Sequence, residues 1–495
     1  MADANNAEPT LDINRHLKYW KMCLQAPLPN HYLSNEGVRM TLAYFIVNSI
    51  RILEWGAEED TPIPSSVGRQ EGGQEDQAGK GSANLGTPLI PPKDHARLRA
   101  WVLSHQQPSG GFAPSSTLLY PPTPLTSSGN GSQQDQPEEE KPTVANLPAT
   151  LFSLQLLALL ADDGEEGERG AFDGVDRAQI LRWMKRLQRA DGSFGEVGRE
   201  MPGKGWFIGG GYDMRYCYIA ASIRWMLRGG LREGEEGWVE DFDTGALERY
   251  ILGSQTYDGG FAGSSKEEPH AGYAYCAVAA LSLLHRPLTN STTSHTSNIL
   301  QSSIQDTPKL LHWLASRQFV YLEPPQNDNA PDYEDEDNFL LPARPSDLVS
   351  ITNPSSSTPL HVASNGRCNK VADTCYTWWV AAALSVLGHS DLIDWPASRR
   401  FLLDRMAHRI GGFSKHPGGP PDVYHGCFGL AALAVMGEEG LARVDCALAL
   451  PVRTVGVVER AREGLVRRAV GDKGRGLKQA GGGTGLALMG NGRAG

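Results

Sequence analysis

QILRWMKRLQRADGSF (residues 179–194), followed by DMRYCYIAASIRWML (213–227), is the stretch that decides the fold. The first string begins as an amphipathic helix, with apolar residues recurring three and four apart. It breaks at Gly192 and returns with Phe194. Glycine permits the positive φ that such a turn requires, and the aromatic ring brings the chain back towards the interior. The second string is apolar nearly throughout and rich in small residues, which suits a helix packed on both sides.

Both halves recur. RLRAWVLSHQ (97–106), ALERYILGSQ (246–255) and KLLHWLASRQ (309–318) match the first helix, each ending in Gln. The turn recurs as Gly110-Gly111-Phe112, Gly259-Gly260-Phe261 and Gly411-Gly412-Phe413, the last after FLLDRMAHRI. HAGYAYCAVAALSLL (270–284), DTCYTWWVAAALSVL (373–387) and DVYHGCFGLAALAVM (422–436) match the second helix. Such pairs cannot bury their apolar faces singly, so they must stack, either as an open solenoid or as a closed ring. Aromatic residues on the inner helices favour closure. The expected fold is therefore all-α, an α–α barrel with inner helices around a central cavity. One domain is expected over about 11–450, interrupted by Ser-, Pro- and acid-rich insertions at about 58–92, 113–145, 287–307 and 324–364. PPQNDNAPDYEDEDNF (324–339) alone holds six acids and no base. These insertions are expected to be disordered. So is a basic, Gly-rich tail over 451–495, with nine Lys or Arg against three acids.

Composition excludes several function classes. The chain has 495 residues, of which 40% are hydrophobic, and a net charge of -11, which argues against nucleic-acid binding. Met1 to Asn14 has no basic stretch leading into an apolar one, so no signal peptide is expected, and no apolar run is long enough for stable membrane insertion. Seven scattered cysteines do not suit a disulfide framework. A cytoplasmic location is expected.

Two clusters carry chemistry. Asp373 and Cys375 lie in D-T-C, and His425 opens the next inner helix. Oxygen, sulfur and nitrogen donors of this kind suit a four-coordinate zinc that keeps one position open for substrate. Spacing alone is weak evidence, because D-x-C arises by chance and a His on an apolar helix is usually an ordinary core residue. The repeat register adds that Asp373 and Asp422 both open inner helices, so Cys375 and His425 belong near one end of the barrel. The second cluster is His270, Arg367, Lys370, Tyr376 and Lys415, cationic and hydroxyl donors near helix starts, suited to an anionic diphosphate or else to an ordinary solvated loop.

HAGYAYC, GRCNKVADTCYTWW and DVYHGCFGLAAL, in this order on the repeated framework, resemble the protein prenyltransferase β subunits, and among them the type I geranylgeranyl enzymes. The resemblance covers most of 11–440. It implies one Zn2+ per β subunit on Asp373, Cys375 and His425, activating the thiol of a substrate cysteine. It implies His270, Arg367, Lys370 and Tyr376 on the isoprenoid diphosphate, Arg215 and Tyr424 at the peptide cavity, and Tyr273, Cys276 and Trp379 around the prenyl pocket. It also implies an obligate α subunit as partner, geranylgeranyl diphosphate as donor, and C-terminal CaaX proteins such as small Rho-type GTPases as acceptors.

The lipid follows from two positions. Farnesyl enzymes carry Trp where this chain has Thr41, so a deeper pocket and a geranylgeranyl chain are expected. Lys415 stands where farnesyl enzymes carry a magnesium-binding Asp, so Mg2+ is not expected to be required. Tyr424 departs from this: farnesyl enzymes have Tyr there, animal type I enzymes Leu. A farnesyltransferase β subunit is thus the alternative among enzymes, and a solenoid scaffold the alternative outside them. A terpenoid cyclase would need an Asp-x-Asp-Asp acid, which the sequence lacks. GREMPGKG (198–205) has phosphate-loop spacing from Gly198 to Lys204 but no Ser or Thr after Lys204, and it is read as a decoy.

Overall fold

Thirteen α-helices account for about half of the residues that the computed structural model describes, namely 8–29, 32, 36–59, 88–118, 144–288 (less 163, 165, 166, 168 and 202), 300, 303–321 and 360–480. Six form an outer layer: α1 (Ile13–Gln25), α3 (Pro92–Leu103), α5 (Arg177–Lys185), α7 (Thr244–Leu252), α9 (Thr307–Ala315) and α11 (Trp395–Phe401). Six alternate with them as an inner layer: α2 (Arg39–Glu59), α4 (Leu147–Leu159), α6 (Met214–Leu227), α8 (Ala271–His285), α10 (Thr374–Val386) and α12 (Val423–Val435). Each inner helix packs on the next, and α12 packs on α2, so the ring is closed. The expected α–α barrel is the fold observed.

The terminal Gln of each repeat is the device that joins neighbours. Gln188 Oε1 accepts the Asp243 N–H at 2.9 Å while its Nε2 donates to the Asp243 carbonyl at 2.8 Å. Gln255 does the same with Asp306, at 3.2 and 3.1 Å. Gln106 accepts from the Asp176 N–H and Gln318 from the Asp394 N–H. These four aspartates are in turn the N-caps of α5, α7, α9 and α11. One amide therefore fixes the register between the end of one outer helix and the start of the next. Gln188→Ala is expected to cost about 1 kcal/mol, because water can reach the exposed Asp243 backbone in its place. The check is a drop in thermal midpoint of a few degrees with unchanged helix content.

The glycine turns have a related reason. Gly192 has φ +95°, and a Cβ there would lie 2.2 Å from the Ala246 carbonyl oxygen in α7. Gly411 has φ +93°, and a Cβ there would meet the Arg15 carbonyl oxygen in α1. The last turn thus rests on the first outer helix, which closes the outer layer as well. Phe112, Phe194, Phe261 and Phe413 are all fully buried behind these turns.

Because every inner helix is followed by an outer helix that returns, the inner N-termini gather at one end of the barrel. Asn146, Asp213, His270, Asp373 and Asp422 cap α4, α6, α8, α10 and α12 there. Four antiparallel strand pairs occupy connections: β1 (Val197–Met201) with β2 (Gly205–Gly209), β3 (Gln318–Val320) with β4 (Val362–Ser364), β5 (Phe413–Ser414) with β6 (Pro421–Asp422), and β7 (Val444–Asp445) with β8 (Leu450–Pro451). The phosphate-loop decoy is the β1–β2 hairpin, in which a strand rather than a helix directly follows Lys204.

Two expectations are corrected. Residues 452–480 form α13 (Val452–Ala480), where a disordered tail was expected from 451. Val455, Val458, Ala461 and Leu465 recur at helical spacing and are buried, and α13 packs on α4 and α6. Averaging charge and glycine over the whole tail hid this apolar stripe; residues 481–495 lie outside the described residues. The insertions are also narrower than expected. Ile90, Ala113, Ser115, Val144, Leu300 and Ile304 are buried, and Val362–Ser364 pairs as β4. The central parts of all four insertions lie outside the described residues.

Candidate metal centre and barrel cavity

Asp373 and Asp422 are cap residues before they are anything else. Asp373 Oδ1 accepts the Cys375 N–H at 2.8 Å, and Asp422 Oδ1 accepts from the Tyr424 and His425 N–H groups at 2.9 Å each. Capping fixes both carboxylates at the starts of adjacent helices, and α10 and α12 then bring Cys375 and His425 together. One donor atom each from Asp373, Cys375 and His425 lie within 4.8 Å of one another, all in buried residues. His425 Nε2 is 3.2 Å from Asp373 Oδ1, and its Nδ1 is 2.6 Å from Asp422 Oδ2.

The charge balance of this group fits a cation. Burial alone would lower the His425 pKa, yet the bonds to Asp373 and Asp422 raise it to about 9. Two carboxylates, Asp373 buried and Asp422 half-buried, thus draw a positive charge into the site, and the imidazole supplies it by keeping its proton. Burial raises the Asp373 pKa, but His425 and the Cys375 groups bring it below the ordinary value. Burial, reinforced by Asp373, holds the Cys375 thiol well above its usual range, so without a cation it is neutral. A metal replacing that proton would meet a hard oxygen, an imidazole and a thiol. Asp422 on Nδ1 would orient Nε2 as the ligand atom. Sequence reasoning missed this role for Asp422, although DVYH places an acid three residues before the His.

The barrel encloses a cavity of about 330 Å3, opening among the inner N-termini. Thr41, Arg215, Cys276, Trp379 and Tyr424 line it. Tyr273 does not line it: it sits at the rim with its ring centroid 5.5 Å from that of His270. Cys276, three residues on, takes the inward position. Further lining comes from Phe45, Phe152, Tyr275 and Phe428, which were not foreseen. Phe45 and Phe428 lie four residues after Thr41 and Tyr424, so helical spacing from those two was the available signal. Tyr424 is packed edge-on against Phe45 and Phe428, and Trp379 is 4.5 Å from Phe428. Tyr424 and Trp379, which line the cavity, also lie close enough to the Cys375 thiol to offset in part the effect of burial on its pKa, so metal centre and cavity share a wall.

At the rim, His270 Nδ1 accepts the Gly272 N–H at 3.0 Å, which leaves the proton on Nε2, 2.9 Å from Tyr376 Oη. Burial, then Arg367 and Arg215, lowers the His270 pKa to about 4, so this donor is neutral. The turn carrying Arg367 and Lys370 is seated on α8 through Gly366, whose carbonyl accepts the Ala271 N–H. Only glycine fits there, since a Cβ would lie 2.2 Å from the Tyr376 ring. Arg367 is paired with Glu268 at 3.1 Å. Arg215 is paired with Asp213, which raises its pKa further. Lys415 lies in the β5–β6 turn, and its carbonyl accepts the Thr374 N–H at 3.2 Å, beside Asp373. The structure thus brings His270, Tyr376 and Arg367 into one cluster, with Lys370 on the same turn.

The prenyltransferase alpha-alpha toroid domain family matches residues 11–70 and 78–450. The chain belongs to that family. Among related prenyltransferases, a geranylgeranyl transferase type-1 subunit beta of Arabidopsis thaliana is 29% identical over 442 residues, 89% of this chain and 88% of that protein. A second of the same description, from Dictyostelium discoideum, is 26% identical over 62% of this chain and 65% of that protein. The prenyltransferase fold is shared with Candida albicans protein geranylgeranyltransferase-I complexed with GGPP, at a TM-score of 0.61 and 20% identity, over 92% of this chain and 99% of that one. No helix among the described residues of this prenyltransferase is long and apolar enough to cross a membrane.

Proposed function

We propose that this prenyltransferase is the catalytic β subunit of a protein geranylgeranyltransferase type I, acting with an α subunit in the cytoplasm. It transfers geranylgeranyl from geranylgeranyl diphosphate to the cysteine thiol of CaaX proteins. The observation that carries this reading is the wall shared by Asp373, Cys375 and His425 with an aromatic cavity, through Trp379 and Tyr424. A lipid in that cavity would present its first carbon to the metal centre.

The chain's own residues divide the work. Trp379, Phe428 and their neighbours bury the prenyl chain, gaining about 25 cal/mol for each Å2 of apolar surface removed from water. Neutral His270, through Tyr376, together with Arg367 and Lys370, binds the diphosphate and stabilises the charge it gains on leaving. Asp422 orients His425, and Asp373 orients Cys375. Zinc, when held by Asp373, Cys375 and His425, supplies the Lewis acid that keeps a ligating substrate thiol deprotonated at neutral pH. The carboxylate, thiol and imidazole donors of Asp373, Cys375 and His425 fit that ion.

Lys415 supplies the cation that would otherwise be recruited as magnesium, because its turn lies against Asp373 and the start of α10. The test is transfer to a CaaX peptide ending in Leu by the co-expressed α and β chains, with geranylgeranyl and farnesyl diphosphates compared. Geranylgeranyl is expected to be preferred in kcat/KM, with full activity in magnesium-free buffer once zinc is restored. Lys415→Asp is expected to make transfer depend on magnesium. Preference for farnesyl would return the chain to the farnesyltransferase alternative, and inactivity without magnesium would remove the role given to Lys415.

A further inference from the structure

We propose that the turn Leu448–Ala449, clasped by Tyr44, Asn48 and Gln155, is the end-stop that limits the length of the lipid this cavity accepts. The proposal rests on the reading of the cavity as the prenyl site. Thr41, in the first turn of α2, lies on the cavity wall near its mouth, whereas Tyr44 and Asn48 follow one and two turns deeper on the same helix face. Leu448 and Ala449 also line the cavity, and the Ala449 carbonyl is held by these deeper residues.

An apolar cavity that ends on backbone carbonyls needs those carbonyls satisfied, since an unpaired one is costly in contact with lipid. Here both are paired from the inner helices. Tyr44 Oη donates to the Ala449 carbonyl at 2.6 Å, and Asn48 Nδ2 donates to it at 3.2 Å. Gln155 Nε2, from α4, donates to the Leu448 carbonyl at 3.0 Å. Below the turn, Asp445 Oδ1 accepts the Ala447 and Leu448 N–H groups at 3.0 Å each, and Arg286 holds its other oxygen at 2.8 Å. Ala449 has φ +54°, a left-handed conformation that a side chain rarely adopts without such support. Five side chains from α2, α4 and two connections thus fix two residues in a strained turn at the end of the cavity. Closure of the barrel alone does not require a turn held so firmly.

The test measures kcat/KM of the α–β complex for farnesyl, geranylgeranyl and geranylfarnesyl diphosphates on one CaaX peptide. Leu448→Ala is expected to raise the geranylfarnesyl to geranylgeranyl ratio about tenfold, since three buried carbons are removed from the stop. Tyr44→Phe keeps the ring but removes the shorter of the two hydrogen bonds to the Ala449 carbonyl, leaving Asn48 alone on it, and it is expected to raise the same ratio several-fold. Should Leu448→Ala fail to fold, Tyr44→Phe decides. Ratios unchanged in the folded variants, with geranylgeranyl transfer persisting, would overturn the end-stop while leaving the function standing. No transfer from any donor by the unmodified complex would overturn the function and the end-stop together.

Discussion

Cys375→Ala and His425→Ala are each expected to abolish prenyl transfer while leaving helix content within a few per cent of the unmodified chain. Each removes one of three donor atoms that lie within 4.8 Å of one another, and a metal left with two protein ligands is weakly held. Asp422→Asn gives the graded control. It keeps the N-cap oxygen but removes the charge facing His425 Nδ1 at 2.6 Å, and loss of such an outer partner costs about 10- to 100-fold in metal affinity. The expected order of zinc content in the purified complex is therefore unmodified, then Asp422→Asn, then the two alanine variants. Metal analysis and circular dichroism check it without reference to turnover. Full zinc and normal transfer in either alanine variant would remove the metal assignment.

Much of this site was legible because the repeat imposes a register. Once Asp373 and Asp422 are seen to open equivalent helices, Cys375 and His425 must lie at one end of the ring, and the cavity must open there. Tyr273 shows the limit of that logic. A residue in the first turn of an inner helix faces either the rim or the interior according to a rotation of about 100° per residue, and the string HAGYAYC does not fix where the count begins. The structure sets it at Cys276. Asp422 was seen as a helix start but not as the partner of His425, because one carboxylate there caps the backbone and holds the imidazole at once. Helix α13 was hidden for a different reason. Its apolar stripe, Val455, Val458, Ala461 and Leu465, is diluted by charged residues, and Arg462 is itself buried, donating to the Trp225 carbonyl at 2.8 Å with its guanidinium over that ring. A composition argument counts that arginine as solvent-facing, whereas its stacking makes it part of the core.

Thr41→Trp is expected to move donor preference from geranylgeranyl towards farnesyl diphosphate. Thr41 lines the cavity one helical turn above Tyr44, so an indole at that position would project across the route from the mouth to the Leu448–Ala449 end. The longer lipid must pass it, whereas the shorter one can end before it and gain contact with its face. Overpacking a filled cavity costs about 1–3 kcal/mol, so kcat/KM for geranylgeranyl diphosphate should fall roughly tenfold or more relative to farnesyl diphosphate. A purely structural effect has a different signature. Thr41 is packed near Phe45 and Tyr44 on α2, and a Trp that merely strained this helix would lower both activities alike and leave their ratio unchanged. The ratio at fixed peptide is therefore the measurement that decides. Combining Thr41→Trp with Leu448→Ala separates wall from floor: with the route obstructed at the wall, enlarging the floor should no longer favour the longer lipid. If the two effects on the ratio simply multiply, Thr41 and the Leu448 turn act independently, and Thr41 does not control passage to the end of the cavity.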